Sequence, residues 1–193
     1  MGEVRFYHLD LSGSGVPESG LALLLADRAG EEYRSAADDL STAAGFVEMA
    51  RADCITVLVD GERLVDLGLR HNARSETVMI LQALIEGGAI QPGQRLALVL
   101  TKLDVVLKSE DRDRVESDFA SLRMRIQTLF SNVFSVISAF QVADSPRSDS
   151  VARGTGVADL LAFWIAPKQR PPAEARSRRI PDRAFARLSV AEE

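Results

Sequence analysis

Residues 12–20 read SGSGVPESG and lie between two apolar runs, EVRFYHLDL at 3–11 and LALLLA at 21–26. Two readings compete. In the first, Gly15-x-x-x-x-Gly20 opens a phosphate-binding loop, and LALLLADRAGEEY is the helix behind it. Such a loop needs Lys and then Ser or Thr directly after its last glycine, to reach phosphate oxygens and a magnesium ion. Leu21 and Ala22 stand there instead, and no Gly-Lys dipeptide occurs in the 193 residues. In the second reading the stretch is a hairpin turn, because Gly, Pro and Ser are turn residues and the flanking runs are rich in strand formers. The hairpin is favoured because the motifs further along the chain fall into register with it.

Working outward, EVRFYHLDL places Val4, Phe6 and His8 on one face and Tyr7, Leu9 and Leu11 on the other, with His8 read as a partly buried strand residue. The unbroken run LALLLA suits a strand covered on both faces. Between Glu32 and Ala50, Tyr33, Ala36, Leu40, Ala43, Val47 and Ala50 recur at the three-and-four spacing of one helix. CITVLVD, 54–60, reads as a buried parallel strand with Cys54 in the core, and 61–74 as a long loop. Thr77, Ile80, Leu81, Leu84 and Ile85 mark a helix over 76–86 that stops at Gly87-Gly88. RLALVL, 95–100, is a further buried strand. Val115, Phe119, Leu122, Ile126 and Leu129 form a helical stripe over about 110–130. FSVIS, 134–138, is the last strand, and 156–165 the last helix, with Leu160, Leu161, Trp164 and Ile165 inward.

A hairpin followed by alternating helices and strands predicts an α/β fold. It is a three-layer α/β/α, mostly parallel sheet with an antiparallel β-hairpin at the N-terminus and right-handed crossovers. Ligands of such sheets bind at the carboxyl ends of the parallel strands. Pro167 closes a domain spanning 1–167. Residues 168–193 hold three prolines and seven Lys or Arg and read as a basic, solvated tail in which IPDRAFARL is the stretch suited to docking.

Composition narrows the function classes. The chain is 46% hydrophobic and 26% charged, with a net charge of −5, which is the profile of one ordinary domain with a continuous core. The acidic balance opposes nucleic-acid binding, since neutralising phosphates needs a basic face. A single cysteine and two separated histidines make neither an internal disulfide nor a zinc site. No 18-residue apolar span or signal sequence is present, so no membrane span is expected and the cytoplasm is the expected location.

The strongest functional signal is the run of the strand RLALVL directly into Thr101-Lys102-Leu103-Asp104. A carboxylate at a strand's carboxyl end can accept two parallel hydrogen bonds from the N1–H and exocyclic amine of guanine, and adenine presents no such donor pair. The lysine two residues earlier can lay its methylene stem along the base.

TKLD resembles the guanine-specificity motif, Asn or Thr followed by Lys-x-Asp, of Ras-like and translation-factor-like P-loop GTPases. Ser138-Ala139 matches the Ser-Ala motif whose backbone N–H supports the guanine oxygen. Asp27-Arg28-Ala29-Gly30-Glu31 matches the Asp-x-x-Gly motif of the second switch. By that resemblance Asp27 reaches Mg²⁺ through water, the Gly30 N–H senses the γ-phosphate, and GTP or GDP with Mg²⁺ is the implied ligand. Thr101, Lys102, Asp104, Ser138, Ala139 and Gly30 are then the nucleotide-binding candidates. Glu31 stands where many relatives have a water-positioning Gln and is the catalytic candidate, although its charge opposes an incoming γ-phosphate. The Asp-x-x-Gly-Glu form and TKLD together look similar to bacterial double-GTPase families.

The resemblance covers 3–166 and begins at the family's second strand. The first strand, phosphate loop and first helix have no counterpart in this chain, so hydrolysis is expected to be impaired and nucleotide binding weak. The strand missing between neighbours leaves an open sheet edge. A second expectation follows: a pseudo-GTPase module engaging a protein partner, or a homo-oligomer, through its switch face or that edge.

Overall fold

The computed structural model describes residues 4–13, 16, 20–146 and 151–167. Its elements are β1 (Arg5–Leu11), β2 (Leu21–Asp27), α1 (Gly30–Asp38), α2 (Leu40–Ala43), α3 (Val47–Arg51), β3 (Cys54–Asp60), α4 (Gly61–Val65), α5 (Arg70–Glu86), β4 (Arg95–Thr101), α6 (Leu103–Lys108), α7 (Arg112–Phe130), β5 (Val136–Gln141) and α8 (Val157–Ile165). The basic tail at 168–193 lies outside the described residues.

SGSGVPESG is the connection of a hairpin. β1 and β2 pair antiparallel from Arg5↔Asp27 to Leu11↔Leu21, so residues 12–20 close the turn. LALLLA is therefore a strand and not the helix of a phosphate loop. β3, β4 and β5 form a separate parallel sheet in that order. A mostly parallel sheet carrying the hairpin was expected, with an open edge where a strand is missing. Instead, β2 and β3 are consecutive across the α1–α3 crossover, yet among the described residues no strand lies between them and neither pairs with the other.

β4 sits in the middle of the parallel sheet, and Arg95 through Leu100 are all buried. Leu96, Leu98 and Leu100 face a large core with Ile55, Val59, Leu81, Leu84, Val115, Phe119, Leu122 and Ile126. Ala97 and Val99 face α8, where Leu160, Phe163 and Trp164 cover them together with Phe140 and Val142. This two-residue alternation, apolar on both sides, is what helices on both faces of a parallel sheet demand. Arg95 anchors α8 from beneath: its guanidinium donates to the Phe163 and Trp164 carbonyls at 2.8 and 3.0 Å. The Trp164 indole donates to Thr56 Oγ1 at 3.0 Å. Both contacts tie the end of the last helix to the amino-terminal end of the sheet.

Several expectations are corrected. Among the described residues the hairpin is not covered on both faces: β1 is exposed along most of its length, and Leu24 of β2 is 66% exposed. His8 is accordingly not buried; it lies exposed 3.2 Å from Asp10. The single helix over 32–50 is three short helices, because Asp39 turns extended and caps α2 by accepting from the Ser41 N–H at 3.0 Å. The long loop over 61–74 holds α4 and the first turns of α5. Leu129 of the α7 stripe is 47% exposed, and Phe130 takes the buried place. Cys54 is half-buried, and burial pushes its thiol pKa up.

One glycine is set by the packing of the last strand and helix. Gly156 has φ of 77°, and a Cβ there would lie 2.0 Å from the Gln141 carbonyl oxygen. Gly156→Ala is expected to destabilise the fold by about 2–4 kcal/mol, from the left-handed backbone and the backbone clash together. Urea unfolding followed by circular dichroism measures it.

Candidate functional site

The site is built where β3 and β4 end side by side, Asp60 paired with Thr101 in the register. Thr101 closes β4 and donates from Oγ1 to the Val59 carbonyl at 3.3 Å. Lys102 then takes φ 54° and ψ 43°, the one non-glycine residue with positive φ among the described residues. That turn reverses the chain into α6, whose first turn carries Asp104. Asp104 is 6% exposed, one of few charged side chains so deeply placed. TKLD is thus a strand end, a left-handed corner and a helix start, with Asp104 buried in the first turn of that helix.

The lysine is held from the neighbouring strand. Its Nζ donates to Asp60 Oδ2 at 2.9 Å and Glu62 Oε2 at 2.7 Å. Hydrogen bonds to Glu62 and Asp60 raise its pKa above the ordinary lysine value. Asp60 also accepts from the Glu62 N–H at 2.9 Å and so caps α4. The turn comes this close because residue 61 is glycine: a Cβ there would meet the Thr101 carbonyl oxygen at 2.5 Å and Val106 Cγ2 at 2.8 Å.

Asp27 is the last residue of β2, exposed, and Gly30 and Glu31 open α1. Arg28, between them, is buried. It donates to Glu48 at 2.9 Å and Glu32 at 2.5 Å, and stacks 4.4 Å from the centre of the Phe46 ring. Burial works against its charge, and the Glu32 and Glu48 hydrogen bonds outweigh it, raising its pKa. This anchor fixes the start of α1 while Glu31 stays exposed. The N-cap of α1 is Ala29, which supplies no side-chain hydrogen bond to the first turn. A Cβ added at Gly30 would meet nothing within 4 Å among the described residues, so no packing among them requires glycine there.

Ser138 and Ala139 are not brought to this end of the sheet. They lie inside β5, half-buried, opposite Ala97 and Leu98. Ala97 is four residues short of Thr101, or about 13 Å along the strand. The backbone that meets the corner is Val142–Asp144: the Leu103 N–H donates to the Val142 carbonyl at 3.1 Å, and Ala143 is buried against Leu103. The run VISAFQVA stays largely apolar past Ala139, and this was the signal that β5 extends beyond the predicted end. Asp60, Gly61 and Glu62 were also missed as part of the site. Only the cap pattern of an Asp ahead of a short helix hints at them.

Among the described residues no three His, Cys, Asp or Glu side chains gather to hold a metal. Asp27 offers one carboxylate at a strand end. That suits Mg²⁺ kept mainly by water and phosphate oxygens, and not a cation caged by protein alone. No helix among the described residues is long and apolar enough to cross a membrane.

Residues 1–165 match the family model described as Double-GTPase 2. No curated protein and no solved structure matches the chain. The family match spans the hairpin, both faces of the parallel sheet and the TKLD corner, which is a GTPase-type α/β domain. The chain belongs to the Double-GTPase 2 family.

Proposed function

We propose that this chain binds a guanine nucleotide in a Ras-like arrangement at the carboxyl ends of its strands, with Asp104 reading the base. The observation that carries this reading is the placement of Thr101–Asp104 at the carboxyl end of the fully buried central strand, inside a family of GTPase-type domains. Asp104 accepts from the guanine N1–H and exocyclic amine, in a corner where burial strengthens both hydrogen bonds. The Lys102 stem lies along the base, and Thr101 holds the corner to β3. The base-supporting amide is assigned to Asp144, at the level of the corner, in place of Ser138-Ala139, because the Val142 and Ala143 N–H groups already donate to the Leu100 and Thr155 carbonyls at 2.8 and 3.0 Å. At the second site element, Gly30 lets a phosphate approach the uncapped first turn of α1, and Asp27 holds Mg²⁺ through water. Mg²⁺ would supply charge neutralisation of the phosphates.

No Gly-Lys dipeptide lies within these residues, so the affinity of this chain rests on base contacts and the α1 turn, and its own hydrolysis is impaired. Glu31 would orient water in this reading, but its charge repels a γ-phosphate. The nucleotide-binding domain ends at Pro167, ahead of the basic tail, and the chain works in the cytoplasm. Titration calorimetry with GDP, GTP and ATP in Mg²⁺ tests the reading. Guanine nucleotides are expected to bind at about −4 to −6 kcal/mol, with ATP at least tenfold weaker. Equal binding of ATP and GTP, or none by the folded chain, would overturn it.

A second reading is favoured by one observation: the edge of β2 away from β1 and the edge of β3 away from β4 are unpaired among the described residues, and Leu24 and Leu58 on those strands are each 66% exposed. In that reading the chain is a pseudo-GTPase module, and a protein partner or a second copy lays a strand along one of these edges.

A further inference from the structure

We propose that the β3–α4 turn, Asp60-Gly61-Glu62, positions Lys102 for the base; this rests on the guanine-site reading above. A lysine is a poor positioning device by itself, since its long stem has many rotamers and its ammonium is strongly hydrated. Lys102 is also held in the left-handed region, which a non-glycine residue occupies only when its surroundings dictate it. Three ties from one neighbouring segment do so. Asp60 and Glu62 hold the ammonium at 2.9 and 2.7 Å, Val59 accepts from Thr101 at 3.3 Å, and Gly61 lets the turn press against the Thr101 and Lys102 carbonyls at 2.5 and 3.5 Å from its Cβ position. Asp60 serves two masters through different oxygens: Oδ1 caps α4 and Oδ2 takes the lysine. With the ammonium fixed on the β3 side, the stem has one path across the corner, and the base meets a surface already formed. Asp60 and Glu62 are positioning residues; they act through Lys102.

The test uses the full chain with Asp60→Asn, Glu62→Gln and their double variant. Asparagine keeps the cap of α4 and removes the charge. Amide hydrogen exchange at Thr101–Val106 in the nucleotide-free protein is expected to quicken about threefold to tenfold in the double variant, while the melting temperature moves by less than about 5 °C, the scale of two exposed ion pairs. Unchanged exchange at these amides would overturn the proposal. Glu62→Gln is expected to weaken GDP binding several-fold, and to have no further effect in a Lys102→Met background. An equal loss in that background would show that Glu62 acts without the lysine and would also overturn it. If the folded chain binds no guanine nucleotide, the site reading fails, and the exchange result still decides whether the turn orders the corner.

Discussion

Asp104→Asn is expected to take GDP binding below what calorimetry detects and to raise the affinity for xanthosine diphosphate. The wild-type carboxylate accepts two hydrogen bonds from guanine, each worth about 1.5–3 kcal/mol as a bond to a charged group. The asparagine side chain keeps one acceptor and sets an N–H₂ against the guanine amine, donor against donor. Xanthine carries a carbonyl where guanine has that amine, so the same N–H₂ finds an acceptor. Asp104 is 6% exposed, in the first turn of α6, so little water can enter to compensate a mismatched pair. Calorimetry with both nucleotides on both proteins measures the exchange of preference. An unchanged GDP-to-XDP ratio would remove Asp104 from the base site, wherever the rest of the nucleotide sits.

Asp118→Ala is the change expected to cost most stability, about 3–5 kcal/mol. Asp118 lies on α7, 8% exposed. Its two oxygens accept from Arg70 at 2.9 Å and Arg74 at 2.6 Å, both on α5, with Arg114 of α7 at 3.5 Å. The three arginine side chains are only 23–27% exposed, so removing the one carboxylate at their centre leaves clustered positive charge with limited access to water. Arg114 also donates to the Leu64 and Val65 carbonyls at 3.1 and 2.8 Å, which extends the damage to the end of α4. Thermal unfolding should show a fall of roughly 10 °C, at 2–4 °C per kcal/mol for a chain of this size. A shift of only a degree or two would class the cluster with ordinary surface ion pairs.

Much of this was readable from residue order, and the failures have physical causes. RLALVL reads as a buried strand because Leu96 to Leu100 are apolar at every position, and only burial on both faces permits that. The stripe of α7 was legible at Val115, Phe119, Leu122 and Ile126, but Asp118 shares their face and breaks the pattern. Its partners are 44 and 48 residues away on α5, which no local period can show. The short helix α4 was read as loop, and α6 was not predicted, because a helix of five or six residues has too few apolar positions to display a period. Their existence depends on caps and corners. His8 and LALLLA were expected to be covered, an inference that strand composition supports only when something packs on the strand. Here β1 and β2 stand as their own sheet.

The sequence by itself determined the hairpin at SGSGVPESG, the parallel strands and their order along the chain, and the strand end carrying Thr101, Lys102 and Asp104. Each of these rests on neighbours in the chain: turn residues, alternation, and a motif within four positions. Only the tertiary structure decided that Asp60 and Glu62 grip Lys102 across 42 and 40 residues, that Ser138-Ala139 falls inside β5 and leaves Val142–Asp144 at the corner, and that the hairpin and the parallel strands form two separate sheets. These depend on strand register and on close approach at Gly61. Both are set by how whole elements pack, because a period of two says which face a residue takes but not which residue lies beside it.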